Sequence, residues 1–180
     1  PALSDTDAFD AFRLMLLTRT FDAKGASLQR QGRFGTFSQV TGQEASVVGS
    51  AFALDPARDW VVPQYRELPA LLRQGFPLAN FARYFRGDPA GGAIPPGVNM
   101  LPIQISIAAQ LPHAVGLAWG LRRRGTDVAL ARLESERAAR AAVRTGLIDA
   151  LGADHVFRSV EEAIRGCEGG ASRMVVPVRE

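Results

Sequence analysis

The spacing of apolar residues predicts a long helix at the start of the chain. Between residues 6 and 30, large apolar side chains recur every three or four positions, which is the period of a helix. They fall on two different sides, so we expect this helix to pack on more than one face. One stripe carries Phe9, Phe12 and Leu16, and the other carries Leu14, Leu17, Phe21 and Leu28.

Three shorter helices are predicted in the rest of the first half. The first should begin at Thr41, whose hydroxyl can accept a hydrogen bond from the amide of Glu44 while the Glu44 carboxylate reaches back to the amide of Thr41. The other two cover residues 68–74 and 78–85. Residues 86–97 are rich in glycine and proline, and we expect no regular element there.

A short buried strand is predicted at residues 60–62, ended by Pro63. Tyr65 and Arg66 follow it and lead into a helix, which is where α/β folds usually place ligand contacts. The fixed fork of donors on an arginine suits a phosphate or a carboxylate. The alternative is an ordinary solvated first helical turn formed by Arg66 and Glu67.

The stretch from residue 94 to residue 124 is the most apolar part of the chain. It opens as a proline and glycine loop, passes through an extended apolar segment, and becomes a helix of small and apolar residues closed by three arginines. Because this helix is apolar around most of its circumference, we expect it in an interior or under a partner.

The last third of the chain alternates strand and helix, which is typical of a parallel α/β unit. We therefore expect an α/β protein with two regions, residues 1–125 and residues 126–180. The predicted elements are a strand at 127–131, a helix at 134–151 stopped by Gly152, a strand at 155–157, a short helix capped by Ser159 and Glu162, and a strand at 174–178.

Composition narrows the class of protein. The chain is 47% apolar and 22% charged, as in ordinary globular proteins, and its net charge of +3 includes no long block of one sign, which argues against nucleic acid as a partner. The apolar stretches are too interrupted for a membrane span, and the chain begins with neither a signal-peptide pattern nor a methionine, as in a processed chain or a fragment. The single cysteine, Cys167, fits a reducing, cytoplasmic setting, and nothing around it is typical of a nucleophile.

Five separate segments carry a family resemblance over residues 8–130. They closely resemble the alpha subunit of the thiamine diphosphate-dependent first component of pyruvate dehydrogenase and of related branched-chain 2-oxo acid dehydrogenases. The segments are L-Q-R-Q-G-R-F-G-T-F, T-G-Q-E-A-S, V-V-P-Q-Y-R-E-L-P, I-P-P-G-V-N-M-L-P-I-Q-I-S-I-A-A-Q and A-V-G-L-A-W-G-L-R-R-R-G.

The resemblance implies roles for five residues. Tyr65 and Arg66 match a pair that contacts the cofactor, with the arginine on its diphosphate. Ile105 and Ile107 match positions whose backbone meets the aminopyrimidine ring. Phe37 matches a position near the substrate pocket.

The resemblance also implies an activity and partners. The family carries out oxidative decarboxylation of a 2-oxo acid and transfers the acyl group to a lipoyl carrier, as a heterotetramer of alpha and beta subunits that works with a lipoyl-bearing acyltransferase. Magnesium anchors the cofactor diphosphate, held by a Gly-Asp-Gly segment after a strand and by a later asparagine.

The chain departs from the family at this metal site. The strand at 127–131 continues into residues 132–135, Arg-Leu-Glu-Ser, and no Gly-Asp-Gly occurs anywhere in the sequence. We therefore expect the magnesium ligands to be missing, the thiamine diphosphate-type parallel sheet to be incomplete, and the chain to be an inactive, truncated or rearranged subunit when alone.

Residues 121–165 resemble a second family. The segments R-R-R-G-T-D-V-A-L-A-R-L-E-S and V-R-T-G-L-I-D-A-L-G-A-D-H-V-F-R-S-V-E-E-A-I are similar to the second half of a STAS domain, a regulatory module of transporter-like proteins and anti-sigma antagonists. This resemblance offers the alternative function, a non-catalytic regulatory or interaction module, and implies that residues 126–180 arose by fusion or truncation.

Overall fold

A computed structural model describes residues 3–125, 127–131, 136–166 and 173–177. Cys167 and residues 132–135 therefore lie outside the described residues. The chain divides into two compact units, Pro1–Gln110 and Leu111–Glu180. The boundary between these units lies at the start of the apolar helix Gln110–Arg122. The boundary that the sequence predicts, at residue 125, lies after that helix and stays a prediction.

The first unit is helical. Its elements are helix α1 (Asp5–Arg30), helix α2 (Glu44–Phe52), helix α3 (Leu68–Arg73), helix α4 (Leu78–Phe85) and a short 3-10 helix (Pro89–Gly92). The 3-10 helix lies in the stretch predicted to be irregular, and it forms because the Asp88 side chain accepts a hydrogen bond from the amide of Ala90.

Helix α1 begins at a cap and ends at a glycine. The Ser4 hydroxyl accepts from the amide of Asp7, and Gly32 takes a left-handed conformation with φ of 70° just beyond the helix. Of the second predicted stripe, Phe21 and Leu28 pack against the core, whereas Leu17 is 42% exposed. The first stripe is exposed, at 68% for Phe9, so among the described residues the expected packing on more than one face does not occur.

Five phenylalanines form the centre of the first unit. Ring centroids of neighbouring pairs lie 4.9 to 6.5 Å apart at tilted or edge-to-face angles. Each such contact stabilises the fold by roughly 0.5–1.5 kcal/mol beyond the effect of burying the apolar area of the rings. The rings belong to Phe21, Phe34, Phe37, Phe81 and Phe85.

The predicted start of α2 at Thr41 is wrong. The Thr41 amide and hydroxyl both donate to Oδ2 of Asp22 in α1, at 2.7 and 2.8 Å, so the hydroxyl does not cap α2. The helix begins at Glu44, whose carboxylate accepts from the amide of Gly42 at 2.7 Å and from the Arg19 side chain. A contact between helices has replaced the local cap.

The predicted strand at 60–62 is reduced to one bridge. Val61 pairs in parallel with Met100, with hydrogen bonds from the Val61 amide to Asn99 and from the Leu101 amide to Val61. The pairing does not continue as a regular strand because Pro63 and Pro102 have no amide hydrogen to donate to it.

The second unit contains a parallel sheet. Its elements are helix α5 (Gln110–Arg122, of which Gln110 belongs to the first unit), strand β1 (Asp127–Ala131), helix α6 (Glu136–Arg144), helix α7 (Leu147–Leu151), a 3-10 helix (Ala153–His155), strand β2 (Val156–Phe157), helix α8 (Val160–Gly166) and strand β3 (Arg173–Pro177). The strand order is β2-β1-β3, and both pairings are parallel. The predicted alternation of strand and helix is present.

The single helix predicted at 134–151 is wrong. It is broken into α6 and α7 at Gly146, which takes a left-handed conformation with φ of 69°. By contrast, the predicted cap before α8 forms, because the Ser159 hydroxyl accepts from the amide of Glu162 at 3.0 Å. Among the described residues, no helix is long and apolar enough to cross a membrane.

Two helical glycines should respond in opposite ways to alanine. A Cβ on Gly25 of α1 would lie 2.5 Å from Cε1 of Phe37, inside the aromatic core, whereas a Cβ on Gly49 of α2 would meet nothing within 4 Å. We expect Gly25→Ala to destabilise the protein by about 1–2 kcal/mol and Gly49→Ala to stabilise it by about 0.5–1 kcal/mol. Urea unfolding measures both; stabilisation by Gly25→Ala would contradict the packing described.

Because of Glu44, the free energy of unfolding should depend on pH in the acid range. Its hydrogen bond from Arg19 is the main cause that lowers its pKa from 4.5 to about 2. Because the folded pKa is the lower one, the stabilisation is complete above the unfolded value of 4.5 and is lost as the pH falls towards about 2.

Comparison with Glu44→Gln isolates this contribution from the other carboxylates. The variant should unfold more easily by about 1 kcal/mol at about pH 6, and the difference should shrink at about pH 3. Urea unfolding at both pH values makes the comparison, and an equal difference at both would contradict the role given to Glu44.

Candidate functional site

The Tyr65–Arg66 loop is held at both ends by buried residues. Pro63 before it and Leu68 after it are each less than 2% exposed. Leu68 begins α3 and belongs to the core of the first unit. The loop is therefore a short connection with fixed ends.

Glu67 organises the backbone of this loop. Its Oε2 accepts hydrogen bonds from the amide of Gln64 at 3.0 Å and from the amide of Arg66 at 2.9 Å. The carboxylate thus satisfies two donors that an irregular turn would otherwise leave to water. This role of Glu67 has one signal in the sequence, an acid three residues after Gln64, which is the spacing of a local side-chain cap.

The two predicted cofactor contacts lie side by side. Tyr65 is half-buried against the core, and the guanidinium carbon of Arg66 lies 5.9 Å from the centroid of its ring. Arg66 is exposed and, among the described residues, forms no ion pair. The arrangement offers a charged fork of donors that is free to meet an anion.

The segment that carries Ile105 runs beside this loop. The Gln104 amide donates to the Gln64 carbonyl at 3.0 Å, and Nε2 of Gln64 donates to the Ser106 carbonyl at 3.4 Å. The structure therefore brings the backbone at Ile105 next to Tyr65 and Arg66.

Ile105 and Ile107 present an apolar surface. They are 44% and 81% exposed, whereas the neighbouring Ile103 is buried. Ala108 follows with φ of 65°, a left-handed conformation that non-glycine residues seldom adopt. Strain of this kind often accompanies binding sites, and here it turns the chain into α5.

Phe37 lies elsewhere, in the aromatic core. It is 7% exposed, and its ring meets that of Phe85 edge to face at 5.2 Å. In the described structure the ring is a packing element of the first unit. Its expected place near a substrate pocket stays a prediction.

The predicted loss of magnesium ligands also stays a prediction. Within residues 3–125, 127–131, 136–166 and 173–177, no group of three or more histidine, cysteine, aspartate or glutamate side chains could hold a metal ion. The described site thus combines the exposed Arg66 cation with the exposed apolar side chains of Ile105 and Ile107.

Comparisons with known proteins identify the family of this chain. Residues 12–139 match the family described as dehydrogenase E1 component. The alpha subunit of the pyruvate dehydrogenase E1 component of Bacillus cereus is 42% identical over 125 residues, which cover 69% of this chain and 33% of that protein. The same subunit of Staphylococcus epidermidis is 39% identical over 127 residues, which cover 71% of this chain and 34% of that protein.

The matched region includes every residue assigned to the candidate site, and the chain spans about a third of the length of these relatives. The match ends at residue 139, inside α6, so residues 140–180 lie beyond it. The chain belongs to the dehydrogenase E1 component family.

Proposed function

We propose that this chain is part of the alpha subunit of a 2-oxo acid dehydrogenase, of the pyruvate type, and supplies one side of a thiamine diphosphate site. The complete enzyme would carry out oxidative decarboxylation of a 2-oxo acid with acyl transfer to a lipoyl carrier. The observation that carries the proposal is the backbone pairing that sets Ile105 beside Tyr65 and Arg66, inside the region matched to the family.

The described residues fit the cofactor in two respects. Arg66, exposed and unpaired among the described residues, would hold the diphosphate, and Tyr65 would contact the cofactor beside it. The backbone at Ile105 and Ile107 would meet the aminopyrimidine ring, and Phe37 would support the wall of the substrate pocket from the core. When bound, thiamine diphosphate supplies the electron sink for decarboxylation.

The cofactor's metal fits less well. After β1 the sequence continues with residues 132–135 rather than Gly-Asp-Gly, and Arg66 would face the diphosphate largely alone. Magnesium needs several oxygen ligands in octahedral geometry. We therefore propose that the chain by itself binds the cofactor weakly and is inactive, with its thiamine diphosphate-type sheet incomplete.

A beta subunit is the proposed partner, with a lipoyl-bearing acyltransferase acting on the assembled heterotetramer in the cytoplasm. The support in this chain is the apolar surface that it leaves exposed. Phe9 and Phe12 of α1 are 68% and 54% exposed, and Val115 and Trp119 of α5 are 56% and 61% exposed. Such surfaces are more typical of interfaces than of free protein.

A STAS-like regulatory module is the alternative for residues 126–180. It is favoured by the parallel strand–helix alternation of the second unit, much of which lies beyond the family match. A pull-down with the full chain separates the two proposals. Recovery of a dehydrogenase subunit supports the first, and recovery of a transporter or kinase without one supports the second.

The first prediction from this proposal concerns cofactor binding. Calorimetry with thiamine diphosphate and magnesium should show no binding tighter than about 1 μM by the chain alone, because the metal ligands are missing. With a beta subunit of the family added, Arg66→Ala should weaken binding at least about tenfold, or about 1.4 kcal/mol, through loss of the diphosphate contact.

Arg33→Ala is the matched control, since Arg33 is an exposed arginine of the same unit. It should leave the affinity unchanged. Sub-micromolar binding by the chain alone would overturn the proposal of a missing metal site, and equal effects of the two variants would remove the role of Arg66.

The second prediction concerns Glu67. Glu67→Ala removes the acceptor for the amides of Gln64 and Arg66, so both amides should exchange with deuterium faster, and cofactor affinity should fall several-fold although no charge that faces the cofactor is lost. Asp10→Ala, at an exposed position of α1, is the control. Unchanged exchange at both amides would show that Glu67 does not order the loop.

A further inference from the structure

Helix α6 carries three arginines on one face. Arg137, Arg140 and Arg144 are spaced three and four residues apart, which places them above one another along the helix. Together with Ala141 they line one concavity of about 380 Å³. This volume falls within the range of small-molecule sites, roughly 300–1,000 Å³.

The opposite side of the helix faces the protein. Ala142 is 6% exposed, whereas all three arginines are exposed. Ala141, half-buried between them, has only a methyl side chain and leaves the space between the guanidinium groups open. The concavity is therefore reached from solvent and bordered by cations.

Among the described residues, little negative charge lies against this face. Nη1 of Arg140 lies 3.3 Å from Oε1 of Glu136, but these side chains are 70% and 86% exposed, so the pair contributes little. Within the part of the chain that the structure describes, Arg137 and Arg144 form no ion pair.

Helix stability does not account for this arrangement. Like charges three or four residues apart repel one another along a helix. A cation in the last turn, such as Arg144, complements the helix dipole, but Arg137 lies in the first turn, where a cation is unfavourable. A bound anion would relieve both the repulsion and the unfavourable position.

We propose that this arginine face binds a small phosphate-type dianion, either free phosphate or the phosphate group of a small metabolite. Arginine offers paired donors that match phosphate oxygens, and three arginines suit a double negative charge better than a single carboxylate. The site shares no residue with the Tyr65–Arg66 loop, and the proposal does not rest on the proposed function.

Calorimetric titration of the full chain tests this proposal. The probes are inorganic phosphate and glycerol 3-phosphate, each added at constant ionic strength so that screening does not change. Saturable binding with a Kd of about 1 mM or tighter is expected, and the tighter of the two probes distinguishes the free ion from the phosphate ester.

Three variants separate this site from other cations. The double variant Arg137→Ala with Arg144→Ala should raise the Kd at least about tenfold, while Arg13→Ala and Arg33→Ala, at exposed arginines with no proposed ligand, should leave it within about twofold of the original. Binding lost in Arg13→Ala or Arg33→Ala but kept in the double variant would overturn the proposal.

Lysine variants test the geometry and guard against misfolding. Arg137→Lys with Arg144→Lys keeps the charge and a similar helix propensity, so the fold should persist, but it removes the paired donors. The Kd should again rise at least about tenfold. Unchanged affinity in the lysine variant, or no saturable binding of either probe to the original chain, would overturn the proposal.

Discussion

The candidate site depends on a backbone pairing between two stretches that are far apart in the sequence. The Val61 amide donates to Asn99, the Leu101 amide donates to Val61, and the Gln104 amide donates to Gln64, each at 2.9 to 3.0 Å. The Gln64 side chain adds a bond from Nε2 to the Ser106 carbonyl, and Val61 and Met100 pack in the core, so backbone and side chains together set the relative position of the two stretches. Without this pairing, the charged loop and the apolar segment after Met100 would have no fixed relation, because each is irregular.

Local signals predicted those elements of the fold whose causes are local. The helix at 78–85 is confirmed residue for residue, because its apolar spacing and the preceding proline act within one turn. The start of α2 was wrong because Asp22, nineteen positions earlier, binds the Thr41 hydroxyl. The break at Gly146 was missed because the apolar period continues across a glycine whose conformation depends on the surrounding fold.

In the candidate site, too, the sequence predicts only the features that have local causes. A strand end followed by Tyr65 and Arg66 predicts a ligand contact from residue types, and this contact stays a prediction. The role of Glu67 could not be predicted, since a carboxylate that orders its own loop looks in sequence like any acid in a first helical turn. Neither could the burial of Phe37, whose ring packs against three other rings, those of Phe21, Phe34 and Phe85, from three parts of the chain.

We propose that two paired stretches of this chain form one side of a cofactor site that a beta subunit completes. Hydrogen–deuterium exchange tests it most directly, with the full chain, a beta subunit of the family, and thiamine diphosphate with magnesium. Adding the cofactor to the two subunits should slow exchange at residues 61–67 and 99–109 together. Protection confined to other residues, with both stretches unchanged, would contradict it.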